Sequence, residues 1–461
     1  MITTLIRRVL PVAVVAILLG ALVRAQARPP LAADGYFHLR MGHELLGGWS
    51  IRDPGHLGPF DSADWLPTQW LAQIGMATVE DRTGLAGVMW VAGILVLALA
   101  LATYVCCRIR VAPLPAAFAT ILACSAASPG FSARPQVLSY LFVLVVTAAW
   151  LATARDGKPR WWLIAVAWVW APLHGMWPIG IVISLAVITG LALERRLSPR
   201  QLGRLALVPL ASAVIVVATP LGAGIYGSVF AVGSRAEYFA EWGPTDFTEP
   251  YAIALLAMFA VVLLVAINRR SLSWPLLMIV GLAGALSVTS ARMTTLAALM
   301  LAPLVAEAFQ EFVPQAPGIR RREGLALAAV FAVCAAVLAP VVDARSDEKI
   351  APTWLDERLD AQPEGTRVLN DWNTGAYFLW RHPRLSLVMH GYGDVFTADE
   401  LKRNSDILGL EPGWDEQVDA LDAELALVDP DAPLGYAMTN DLGWRVIEAD
   451  DDFALLSPPS D

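Results

Sequence analysis

The sequence predicts a polytopic α-helical membrane protein of about eleven spans, followed by a carboxyl-terminal soluble α/β domain. Three observations lead there. Apolar residues make up 56% of the 461 residues and charged ones only 16%, whereas a soluble domain carries roughly one-quarter charged residues. Apolar runs recur at short intervals through residues 1–341. Charge is segregated as well: 26 acidic and 9 basic residues lie from Val342 onward, against 16 acidic and 24 basic before it. The net charge of −9 therefore hides a basic, apolar body (1–341) and an acidic, soluble one (342–461).

Met1–Arg8 ends in Arg7-Arg8 and leads into the apolar run Val9–Val23. A secretory signal begins this way, but no small-residue cleavage site precedes Asp34, so the run reads as an uncleaved first span. Residues 25–84 form a long loop, punctuated by Pro and Gly, with two helical pieces. In the first, around Asp34, the residues Tyr36, Phe37, Leu39, Met41, Leu45 and Leu46 give an apolar face suited to lying along the membrane surface. The second, about Thr68–Thr78, carries Trp70, Leu71 and Ile74, with Val79 just beyond, and reads the same way. Ten further spans fall at about 85–106, 112–128, 136–154, 161–173, 176–193, 204–219, 250–267, 273–290, 294–312 and 324–341. Several are shorter than the roughly 20 residues a bilayer requires.

Alternate connectors set the orientation. One set carries Arg7-Arg8, Arg108 and Arg110, Arg155 to Arg160, Arg195 to Arg204, Arg269-Arg270 and Arg320-Arg321-Arg322, while the opposite loops are nearly bare. Such asymmetry places the amino terminus in the cytoplasm. Eleven crossings then put the Asp34 loop and the acidic domain outside. Three Lys against thirty Arg, with abundant Ala, are the usage of a GC-rich bacterial genome, so the expected location is a bacterial plasma membrane. In the acidic domain, Arg367–Leu369, Ala376–Trp380, Leu385–His390 and Leu425–Val428 read as strands. Trp444–Ile447 and Phe453–Leu456 read as a terminal hairpin, and Trp354–Leu359, Ala398–Arg403 and Trp414–Leu421 as helices.

Some chemistries are excluded early. Cys106, Cys107, Cys124 and Cys334 all lie in or at the ends of apolar runs, which gives neither a disulfide framework nor a cysteine zinc site. The arginines are scattered between the apolar runs and form no single nucleic-acid stripe.

The stretch Ala33-Asp34-Gly35-Tyr36-Phe37-His38-Leu39-Arg40-Met41-Gly42 is the first candidate site. Its i, i+4 spacing puts the Asp34 carboxylate and the His38 imidazole on one helix face, although Asp34 also suits a plain N-cap. Arg134, His174 and Arg292 break the positive-inside pattern at the outer ends of spans. Ionisable groups at membrane depth are costly and usually have a partner or a task. Together these three suit an anion pocket for a phosphate, which Arg binds through its planar fork; the alternative is arginines snorkelling to lipid headgroups. Asp61, Asp64, Glu237, Glu241, Asp246 and Glu249 line the outer loops, and Glu241 and Asp246 precede a span closely enough to approach such a site. No cofactor is indicated. A divalent metal on Asp34, His38 and Asp61 is chemically conceivable, but their spacing matches no metal-ligand pattern.

Several short motifs occur in a telling order: Asp34-x-x-Phe37-His38-Leu39-x-x-Gly42, Pro59-Phe60, Trp65-x-x-x-x-Trp70-Leu71, Arg134-Pro135-Gln136 and His174-Gly175. They resemble the bacterial C-type (GT-C) membrane glycosyltransferases, akin to the dolichyl-phosphate-mannose protein mannosyltransferases. The segment Arg367-Val368-Leu369-Asn370-Asp371-Trp372-x-x-Gly375 resembles the outer domain attached to some of them. Where the family often reads Asp-Pro-Phe-Ser, this chain has Pro59-Phe60-Asp61-Ser62, which leaves the role of Asp61 open. The resemblance implies inverting transfer of a sugar from a polyprenyl-phosphate donor to an extracytoplasmic acceptor, an envelope glycan, lipid or protein. It implies Asp34 as general base, His38 orienting it or touching the donor, and Arg134, His174 and Arg292 at the leaving phosphate. Two other classes fit the composition: a transporter or flippase of a lipid-linked or polar solute, and a non-catalytic scaffold for envelope assembly.

Overall fold

The computed structural model describes residues 2–26, 31, 33–62, 64–233, 242–269, 273–313, 319–346 and 350–459. Two compact units divide the chain. One comprises Met1–Pro30, Arg82–Gly222 and Ala240–Ser346; the other comprises Leu31–Asp81, Ala223–Phe239 and Asp347–Asp461.

The first unit is helical. Its elements are α1 (Ile2–Ala25), the part of α3 (Trp70–Arg108) beyond Asp81, α4 (Pro113–Ala126), α5 (Gln136–Asp156), α6 (Leu163–Trp170), α7 (Pro178–Glu194), α8 (Pro199–Ile215), α10 (Pro250–Arg269), α11 (Trp274–Thr289), α12 (Thr294–Gln310) and α13 (Arg321–Ser346). Helix α12 is its centre: all but three of its seventeen residues are buried, and α4, α5, α10 and α11 pack on it. A helix apolar on every side has this fate. Gly190 lets α7 meet α11, since a Cβ there would stand 2.5 Å from Pro275 backbone atoms.

Each sequence-predicted span has a helix at its position, and among the described residues five helices are long and apolar enough to cross a membrane. The stretch 161–173 differs. Its helix, α6, has only eight residues, a rise of about 12 Å against a hydrocarbon core of about 30 Å. It gives way to a turn at Ala171, after which α7 begins at Pro178.

Several charged residues at the helix ends are paired. Arg108, 2% exposed, forms a two-pronged pair with Glu323 of α13 (2.8 and 3.0 Å), and Tyr104 donates to the same carboxylate at 2.8 Å. Arg110 and Arg155 share Glu307. Removing one partner of a buried pair strands the other charge, at a cost of about 3–5 kcal/mol. Arg108→Ala should therefore lower the unfolding temperature of the detergent-solubilised protein sharply, whereas Arg155→Ala, at a half-exposed side chain, should change it little. Equal effects would disprove the assignment.

The second unit builds on a five-stranded sheet in the order β2-β1-β3-β5-β4. Its strands are β1 (Arg367–Asn370), β2 (Ser386–Leu387), β3 (Leu425–Val428), β4 (Arg445–Ala449) and β5 (Ala454–Ser457). Strands β2, β1 and β3 run parallel, and β5 and β4 close the sheet as an antiparallel hairpin. The helices are α2 (Ala33–Leu46), the start of α3 (Trp70–Arg108), α9 (Gly224–Gly233), α14 (Thr353–Asp360), α15 (Trp372–Arg381), α16 (Ala398–Leu408), α17 (Trp414–Ala420) and α18 (Pro433–Asn440). Gly84, at φ 66°, interrupts α3 with a conformation that an L side chain resists.

Three sequence expectations are corrected here. Ala376–Trp380 is helix, not strand: Asp371 caps α15 by accepting from the Thr374 N–H at 2.8 Å, and Ala376, Tyr377, Phe378 and Leu379 are buried in succession. An unbroken apolar run of that length carries neither period clearly. Only Ser386–Leu387 of the predicted strand 385–390 pairs as a strand, because Asn370 holds the rest as a loop by donating to the Met389 carbonyl and accepting from its N–H. Finally, the apolar face of α2 does not lie open along a membrane surface. Tyr36, Phe37, Leu39 and Met41 are at most 2% exposed, and α2 packs on α15.

Candidate active site

Asp34 lies in the first turn of α2, where the helix dipole favours an anionic side chain. The rest of the motif explains how that turn is held. At Gly42 α2 comes close to α3, since a Cβ there would sit 2.2 Å from the Gln73 carbonyl oxygen. Tyr36 packs between Tyr377 and Trp380, both at 5.3 Å between centroids. Burial, reinforced by Tyr377 and Glu80, pushes its phenol upward, so Tyr36 stays neutral and serves packing. Phe37 stacks on Tyr392 at 4.3 Å and on His390 at 5.1 Å.

His38 is buried, and its Nδ1 lies 3.2 Å from the Gln73 amide of α3. Gln69, immediately before α3, donates to the Tyr392 hydroxyl at 2.6 Å, and the His38 ring meets that of Tyr392 edge-on. The Asp34 helix, the loop after it and the α/β fold thus make one packed unit.

Asp61 belongs to that packing. One of its oxygens accepts from the Leu57 and Gly58 N–H groups at 2.7 and 3.0 Å, and the other lies 3.2 Å from His390 Nε2. Beside it, Phe60 packs against the core of the α/β fold with Arg403 over its ring at 4.1 Å. Pro59-Phe60-Asp61 therefore reads as the staple of the long loop. Asp64 is exposed, and its own N–H donates to Ser62.

The cations lie in the helical unit. Arg134 lies two residues before α5, next to its N-cap Pro135, and Arg292 sits in a short 3₁₀ turn, 291–293, immediately before α12. Gln136 joins these two segments: its side-chain oxygen accepts from Arg292 Nη2 at 2.9 Å while its amide donates to Ser132 at 3.1 Å. The Arg292 guanidinium also lies 5.2 Å from the Trp242 ring centre, a cation–π contact. That tryptophan is fixed because Gly243 accepts from the Ala291 N–H and Thr245 donates to the Ser287 carbonyl.

His174 is buried in the turn between α6 and α7, 2.9 Å from the Ser139 hydroxyl. Asp246 is exposed and accepts from both the hydroxyl and the N–H of Thr248. Those two bonds hold its carboxyl below the usual range, the wrong direction for a base near neutral pH. Glu241 and Glu237 lie outside the described residues. No group of three or more His, Cys, Asp or Glu converges as metal ligands among the described residues.

Of these residues, sequence reading overlooked Gln73, Tyr392 and His390 around the α2 helix, and Ser139 among the cations. Gln136 stood in a quoted motif without a role. A buried amide inside an apolar run was the available signal for it.

No family model and no curated protein sequence matches the chain. Solved structures do match. The oligosaccharyltransferase AglB of Archaeoglobus fulgidus, in complex with an inhibitory peptide and a dolichol-phosphate, superposes at a TM-score of 0.58 with 12% identity, covering 96% of this chain and 73% of that one. The apo form of the A. fulgidus oligosaccharyltransferase gives 0.55 at 12% identity, over 91% and 69%. ArnT from Cupriavidus metallidurans, in the apo state, gives 0.52 at 15% identity and covers 97% of each chain. This is therefore a helical membrane protein with the GT-C fold.

Proposed function

We propose that the protein is a glycosyltransferase that moves a sugar from a polyprenyl-phosphate donor, with inversion, to an extracytoplasmic acceptor. The observation that carries the reading is a carboxylate, Asp34, held by packing on a fixed helix directly after the first apolar helix of a GT-C fold. Asp34 takes the proton of an acceptor hydroxyl, whose oxygen attacks the anomeric carbon. The bond from that carbon to the phosphate oxygen breaks, and polyprenyl phosphate departs with the electron pair. General-base help of this kind is worth about 10²–10⁴-fold.

Arg134 and Arg292 meet the charge on the leaving phosphate, and His174 donates a hydrogen bond to it. His38 orients Asp34. Orientation follows from the arginine asymmetry, with the amino terminus cytoplasmic and the Asp34 loop and α/β fold outside. The acceptor is an envelope glycan, lipid or protein; the relatives of this fold include one captured with an acceptor peptide carrying an NVT sequon.

Transport by the same fold is the second reading. It is disfavoured because Arg134 and Arg292 stand at the starts of α5 and α12 and not at mid-span, whereas transport sites gather near the midplane. Incubating the purified protein with a panel of radiolabelled polyprenyl-phosphate sugars and an envelope extract tests the reading. Label transferred from at least one donor is expected. No transfer or hydrolysis of any donor would overturn it.

A further inference from the structure

Gln136 is the first residue of α5, two positions after Arg134, and its side chain reaches the turn that carries Arg292. It is only 4% exposed. Chemistry settles which way its amide faces. A guanidinium can only donate, so the end 2.9 Å from Arg292 Nη2 is the carbonyl oxygen. The amide nitrogen then donates to the Ser132 hydroxyl at 3.1 Å. The Trp242 ring centre lies 5.2 Å from the central carbon of the same guanidinium. Both contacts come from uncharged groups. They hold the cation without cancelling it, whereas a carboxylate in place of the Gln136 amide would do both.

Other contacts already fix the backbone on either side. Thr295, in the first turn of α12, donates to the Ala127 carbonyl at 3.2 Å. Gly130 sits so tightly against α12 and α5 that a Cβ there would stand 2.7 Å from both the Thr295 and Tyr140 hydroxyl oxygens. The Arg292 N–H donates to the Ser290 hydroxyl at 3.3 Å, and the Ala291 N–H to the Gly243 carbonyl at 3.0 Å. All these residues belong to the helical unit. With the turns held in this way, what the amide adds is the direction of a long side chain.

We infer that Gln136 is a positioning residue, which presents the Arg292 guanidinium in one orientation, its positive charge intact, to the phosphate of the lipid carrier. The inference rests on the proposed role of Arg292 at that phosphate. A preset guanidinium spares the ordering of a rotamer-rich side chain on binding, a gain of about twofold to tenfold in affinity.

The test measures binding of undecaprenyl phosphate to the full-length protein in nanodiscs, together with the unfolding temperature, for wild type, Gln136→Ala, Gln136→Glu and Arg292→Ala. Gln136→Ala should bind about twofold to tenfold more weakly. Gln136→Glu keeps the side-chain length, and the Ser132 hydroxyl can donate to it in turn, so its unfolding temperature should be no lower than wild type. Its carboxylate competes with the phosphate for Arg292. Binding should therefore weaken by at least about tenfold, the worth of one charge-assisted hydrogen bond. Stability and affinity then move apart, which a merely structural glutamine would not produce.

Arg292→Ala should weaken binding at least as much. Wild-type affinity in Gln136→Glu, with Arg292→Ala impaired, would overturn the inference and leave the phosphate role of Arg292 standing. So would losses in both Gln136 variants matched by falls in unfolding temperature. Wild-type affinity in Arg292→Ala, or no binding by the wild type, would instead refute the proposed phosphate site, and the inference with it.

Discussion

Asp34→Asn is expected to abolish sugar transfer, by about 10²–10⁴-fold, the range a positioned general base contributes. The substitution keeps shape and hydrogen-bonding length but removes the group that accepts a proton. The residues that follow it on α2 are already fixed: Tyr36 and Phe37 by rings of the α/β fold, and Gly42 by the α3 backbone. Unfolding temperature should therefore stay close to wild type, and binding of undecaprenyl phosphate should persist. Transfer above one-tenth of the wild-type rate would remove Asp34 as the base. A scaffold protein would show no change in any envelope phenotype, which separates the two readings.

What the sequence revealed follows from the range of its signals. Apolar runs and arginine spacing are local properties, so helices appear where Val9–Val23, 136–154 and 294–312 led us to expect them. The motifs were legible too, yet not what each residue does in them. Asp61 looked like one of several outer acids. Its true partners are its own loop's N–H groups and His390, 329 positions away. Gln69 finds Tyr392 across 323 positions, and Arg292 finds Gln136 across 156.

No period in a sequence reports such pairings, because they arise only once helices and sheet have packed. Even the apolar face of α2 was misjudged for this reason. Amphipathicity says that a face will be buried, and the choice between lipid and protein depends on the distant aromatics of α15 and on Tyr392. Within the α/β fold, Asn370, Asp371 and Gly375 acted as one motif in the sequence and do so in space. They provide a clip on Met389, a cap on α15 and a close approach to the Met389 carbonyl at 2.3 Å from a would-be Cβ.

That packing assigns the α/β fold a mechanical task, which Phe37→Ala should expose. Phe37 is fully buried and nearly parallel to Tyr392, with an interplanar angle of 10°, while His390 and Trp65 complete its surroundings. Truncating a buried Phe costs about 3–5 kcal/mol, and a stacked pair adds about 0.5–1.5 kcal/mol beyond its area. The variant should unfold at a clearly lower temperature and lose most transfer activity, because Asp34 sits one turn away on a helix no longer held.

Phe37→Leu keeps apolar volume without the stack and should fall between the two. If the α/β fold served only acceptor recognition, Phe37→Ala would raise the acceptor KM and spare both kcat and the unfolding temperature. A helix clamped from outside predicts the reverse: kcat and thermal stability fall together, and acceptor affinity is the property least disturbed.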